Sequence, residues 1–376
     1  MVYGDEDVHR LDREFSVLSA DEAGQVAWRC VMRLLPSGLR SMPHSLGMVL
    51  LRQALAASLF INGRVDARIL QSTEDARALR NDECGKLFGR SQDKSVYVLF
   101  WAGDLSKALL QSDKGSASYV ARALLAYGAM GVLSKGLFLL TDIQQIKNGI
   151  VDAWPQKDQF VLPSELPTDV EQAVRWVRGQ AGTPLNPFWI DWYRSVLDGR
   201  PQNWPMLRDI ASIDDALWRG AGEPLDREIS RIAERHRLLD EVRRLKAELA
   251  NARGMDAAMA HRGHNHPPEL LPPEASELTG AVEDIATQLD QAEQELEKTR
   301  PSPSRLRQIG DDLIHVARVV LGYFGGLGDR VVKGAADEFG KALGKYAGAA
   351  FCLYLASQSP KILELGEVLL RLAGLF

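Results

Sequence analysis

NPFWIDWYRSVLDGRPQNWPMLRDIASIDDALW, residues 186–218, is the stretch on which the fold of this chain turns. It holds four of the eight tryptophans, Trp189, Trp192, Trp204 and Trp218, and so concentrates the aromatic mass in one place. Asn186 suits an N-cap, because its short side chain accepts from an unpaired amide of the first helical turn. Pro187 suits the first helical position, where no amide hydrogen is needed. Phe188, Trp189, Trp192, Tyr193 and Val196 then recur at helical spacing, and Gly199 is placed to end the helix. A second short helix is predicted over Trp204–Ile210, and Ser212 with Asp215 has the look of a capping pair for a third. A buried tryptophan removes on the order of 200 Å² from water. The stretch therefore reads as a hub on which other helices pack.

Upstream, residues 1–18 read as a polar arm. Ser19 and Glu22 have capping-box spacing, which predicts a helix through Leu35 with Ala27, Val31, Leu34 and Leu35 inward. Pro36–Pro43 reads as a break. Leu46 to about Ile61 is so rich in Leu and Ala that near-complete burial is expected. Further helices are predicted over Asp66–Leu87, Ser95–Leu110, Ser116–Leu133, Leu137–Ile150 and Thr168–Gly179. Almost no segment alternates with the period of a strand, so residues 19–222 are expected to form an all-α domain.

Beyond Pro224 the composition becomes densely charged. Leu238, Val242, Leu245, Leu249 and Ala252 step by 4, 3, 4 and 3, the spacing of a heptad seam. A second seam runs Leu278, Val282, Ile285, Leu289, Ala292 and Leu296. Between them, residues 254–273 carry glycines and four prolines and are expected to break the helix. Residues 223–300 thus read as a coiled-coil-like helical hairpin, or as two seams that each pair with another copy of the chain. Residues 301–376 read as a C-terminal module with helices over Arg305–Tyr323, Asp329–Ser357 and Lys361–Leu375. In it Ala336, Gly340, Gly344, Gly348, Cys352 and Ala356 recur every fourth residue, a small-residue stripe that lets another helix approach closely.

Composition bounds the chemistry. A net charge of −5 argues against a general nucleic-acid surface. Three well-separated cysteines indicate neither a disulfide framework nor a paired-cysteine metal site, and fit a reducing cytoplasm. The N-terminus lacks a basic start and apolar run, and no long uncharged apolar stretch predicts a spanning helix. There is no GxSxG elbow, no phosphate-binding GxxxxGK[ST] loop and no HExxH, and no cofactor is implied. The glycine run at 322–328 reads as a helix break. The one metal-like cluster is His261, His264 and His266, which can offer imidazoles to zinc or nickel if a fixed geometry holds them.

FWIDWY at 188–193, DGRPQNW at 198–204, ALW at 216–218, GHNHPPE at 263–269 and AWRCVMRLLP at 27–36 together resemble a set of uncharacterised multi-helical alphaproteobacterial proteins. Those carry a FWxxWY segment and a GHN-PPE turn, and His266 stands where their turn has asparagine. The resemblance implies an all-helical fold and no reaction. The sequence reading is a non-enzymatic interaction or assembly protein, cytoplasmic or peripheral to the inner membrane. It self-associates or binds a protein partner, with a membrane surface as a further option. The expected interface residues are Leu238, Val242, Leu245, Leu249, Leu278, Val282, Ile285, Leu289, Gly340, Gly344 and Gly348. A toxin or antiphage-type effector is one version of this reading. The alternative is a metal-assisted enzyme using the histidine loop.

Overall fold

The computed structural model describes residues 13–14, 16–41, 44–61, 143–144, 146–148, 185–220, 222–260, 273–330 and 349–375. Among these the regular structure is entirely helical, as expected. The helices are α1 (Ala20–Ser41), α2 (His44–Ile61), α3 (Pro187–Leu197), α4 (Trp204–Ala211), α5 (Asp215–Gly220), α6 (Glu223–Ala260), α7 (Pro273–Leu296), α8 (Pro303–Arg330) and α9 (Ala349–Ala373). The chain divides into two compact units, Met1–Ile232 and Ala233–Phe376. The helices predicted between Asp66 and Gly179 lie outside the described residues, apart from a few positions at 143–148.

In the first unit the capping signals are realised atom by atom. Ser19 N–H donates to Glu22 Oε2 at 2.7 Å, and Glu22 N–H donates to Ser19 Oγ at 3.3 Å. Ala27, Val31 and Leu35 are buried, as is every described side chain of α2. The expected break at Pro36 does not occur, and α1 continues to Ser41. Proline lacks the amide that would bond the carbonyl four residues back, which is Met32 O. That carbonyl instead accepts from the Tyr193 hydroxyl at 3.2 Å. The hub thus supplies the hydrogen bond that Pro36 withholds.

Asn186 caps α3 through Oδ1, which accepts from Phe188 N–H at 3.0 Å. Its amide nitrogen donates to Asp226 O at 2.9 Å and to Ser230 Oγ at 3.0 Å. One side chain therefore starts α3 and ties it to the first turns of α6. Gly199 ends α3 at φ 62°, with Gly199 N–H bonded to Val196 O and Arg200 N–H to Ser195 O. That pair of bonds is a Schellman closure. The cap of α5 differs from expectation. Asp214 Oδ1 accepts from Ala216 N–H at 2.8 Å, whereas Ser212 closes α4 by donating to Arg208 O. Asp215 is drawn away from capping by two arginines, described below.

The second unit is an up-down-up-down four-helix bundle. Ion pairs of Arg243 and Lys246 with Asp290, Glu293 and Glu297 set α6 antiparallel to α7. Arg305 Nη2 donates to Gln291 Oε1 at 2.7 Å, from the start of α8 to α7. Gly310 and Gly366 bring α8 and α9 together, and Lys361 lies 3.9 Å from Glu248 to return α9 to α6. Leu and Ile side chains from all four helices form one core. The hairpin and the C-terminal residues expected to form separate domains at 223–300 and 301–376 share that core. The other expected boundary, at 222/223, also moves. Leu225, Ile229 and Ile232 are buried and belong to the first unit, which ends at Ile232.

Three further expected breaks fall inside helices. Helix α6 passes Gly254 and reaches Ala260, α8 passes the glycine run at 322–328, and α9 passes Pro360. A helical glycine costs about 1 kcal/mol and a proline about 3 relative to alanine. At Pro360 the burial of Ser359 and Ile362 on either side offsets a cost of that size.

Candidate functional site

An ion pair with a buried arginine sits against the tryptophan hub in the first unit. Trp189 is fully buried and is the centre of the ring cluster, 5.0 Å from Phe188, 5.7 Å from Trp192 and 6.2 Å from Trp218 between centroids. The first two contacts are edge-to-face, the arrangement that the ring quadrupoles favour. Trp204, the fourth tryptophan of the stretch, is only partly buried. The guanidinium of Arg52, on α2, lies 4.9 Å over the Trp218 ring and bonds Asp215 Oδ1 at 2.8 Å. Only 2% of the Arg52 side chain is exposed. Arg219 reaches the other oxygen of Asp215 at 2.5 Å. Partial burial would raise the Asp215 carboxyl, but hydrogen bonds and charges from Arg52 and Arg219 outweigh it and hold the group below its usual value. A buried cation fully met by a carboxylate and a ring face is an anchor between helices. Arg52 is the single Lys, Arg, Asp or Glu of HSLGMVLLRQALAASLFI. A lone arginine in such a run is the signal that a counter-charge must come from elsewhere.

In the second unit the seam residues Leu238, Val242, Leu245, Leu249, Ile285 and Leu289 are all buried in the common core. Leu278 and Val282 lie in α7, with side chains outside the described set. Of the two options, pairing within one chain or between copies, the described seams take the first. Their apolar surface is used inside the bundle, and this departs from the expectation that they form an interface. The reason is that α8 and α9 supply two further apolar faces, so four helices close around one core.

The outer edges of the α6–α7 pair are lined with charge. Arg243 bonds Glu293 at 2.8 Å and Glu297 at 2.7 Å, and Lys246 bonds Asp290 at 2.6 Å and also Glu293. The hydrogen bonds from Arg243 and Lys246 hold the Glu293 carboxyl below its usual value.

The end of the bundle at residues 297–302 is closed by a buried polar knot. Arg235 donates to the carbonyls of Leu296, the last residue of α7, and of Lys298 in the turn that follows, and its Nη2 lies 2.9 Å from His236 Nε2. A guanidinium only donates, so that imidazole nitrogen accepts. Glu295 accepts from Ser302 N–H at 2.6 Å and from Lys298 at 2.5 Å. Burial alone would raise the Glu295 carboxyl, but Lys298, the Ser302 amide and the Arg305 charge hold it below its usual value. These groups cap helix ends and fasten the turn between α7 and α8.

The close helix approach that the sequence placed at Gly340, Gly344 and Gly348 has a counterpart elsewhere. A Cβ on Gly366 would stand 2.7 Å from Ile314 Cγ1 and 2.8 Å from Gly310 O, and one on Gly310 would stand 2.9 Å from Gly366 O. Gly340, Gly344 and Gly348, and His261, His264 and His266, lie outside the described residues. Among the described residues no three His, Cys, Asp or Glu side chains gather as a metal site, and no helix is long and apolar enough to cross a membrane.

No family model, curated protein or solved structure matches the chain.

Proposed function

We propose that this protein acts by association rather than by catalysis, as a cytoplasmic helical interaction protein that pairs with further copies of itself. The observation that carries the reading is the closure of both described heptad seams inside one chain. With those seams consumed, the small-residue stripe from Ala336 to Ala356 is the helical surface that the sequence still offers to a partner. Two features support it. The chain already uses glycine to bring two helices within backbone contact, at Gly310 and Gly366. In addition, Arg330 at the end of α8 and Ala349 at the start of α9 lie by the up-down topology at the end of the bundle away from the 297–302 turn.

The test is the solution mass of the full chain by light scattering, beside Gly344→Leu and Gly340→Leu variants. Wild-type mass above the monomer, falling to the monomer in both variants, is the expected result. A wild type that stays monomeric at high micromolar concentration overturns self-association. Sedimentation of that monomer with anionic liposomes would transfer the stripe to a membrane role.

A further inference from the structure

We draw no further inference here: the strongest candidate, the buried cluster of Arg235, His236 and Glu295 at the closed end of the four-helix bundle, spends its hydrogen bonds on the turn between α7 and α8 and so belongs to the site already described.

Discussion

The two units bury opposite kinds of chemistry. Around the tryptophan hub, aromatic rings pack edge to face and the Arg52 guanidinium is taken into the interior with its counter-ion. In the bundle the core is aliphatic, and charge is kept to the helix edges and to one helix-end knot. The difference teaches where each unit is vulnerable. The hub depends on a few large groups with particular partners, whereas the bundle depends on many small contacts and on how closely two backbones approach.

The comparison is broken most severely at the centre of the hub. Replacing Trp189 by Ala should cost about 3–5 kcal/mol, the range for a large aromatic lost from a core. Urea unfolding monitored by circular dichroism reads it, and a loss below about 1 kcal/mol would show that Trp189 is not the centre of the packing.

Asp215→Ala leaves Arg52 buried without its carboxylate and should cost about 3 kcal/mol. Because the native Asp215 carboxyl lies below its usual 3.8, its contribution is fully present above that value. It is lost as the pH falls from 3.8 through the lower native value. Wild type should therefore lose stability with acid more steeply than Asp215→Asn in that window, and parallel curves would contradict the assignment.

In the bundle, Gly366→Ala places a methyl 2.8 Å from Gly310 O, so α8 and α9 must separate. A loss of about 1–3 kcal/mol is expected, as for overpacking elsewhere. An unchanged unfolding midpoint would mean that the crossing is looser than described.

Tyr193→Phe deprives Met32 O of its donor and should cost about 1 kcal/mol. Pro36→Ala in the same background restores an amide at position 36 and should return part of that loss. No interaction between the two changes in a double-mutant cycle would separate the hydroxyl from the proline. Smallest of all, Lys246→Gln on the edge of α6 should cost about 0.5 kcal/mol and become neutral in high salt, as exposed ion pairs do.

The same contrast explains what was legible in the sequence. Signals that act within a few residues came through: the Ser19–Glu22 box, the Asn186 cap before Pro187, and Gly199 at the end of α3. The heptad seams came through as buried faces because period alone identifies an apolar stripe. Signals that depend on distant partners did not. Pro36 looked like a stop because Tyr193, which relieves it, lies far along the chain. Pro360 looked like a stop because a local penalty is visible in sequence while the burial of Ser359 and Ile362 beside it is not. Asp215 looked like the partner of a cap at Ser212 because Arg52 is 163 residues away. Gly310 and Gly366 have no other glycine within a helical turn, and only the α8–α9 contact makes them a pair. Leu238, Val242, Leu245, Leu249, Ile285 and Leu289 are covered within the chain, and the seam spacing did not show this for a related reason. An apolar seam states that something covers it, without saying whether the cover comes from the same chain.

Solution mass and helical circular dichroism, followed together on dilution of the full chain, decide whether the seams close within one chain or between chains. Mass should fall to the monomer while helical signal and melting temperature hold, because the seams close within one chain and association uses another surface. Helical signal lost in step with mass would place the seams between chains and contradict that closure.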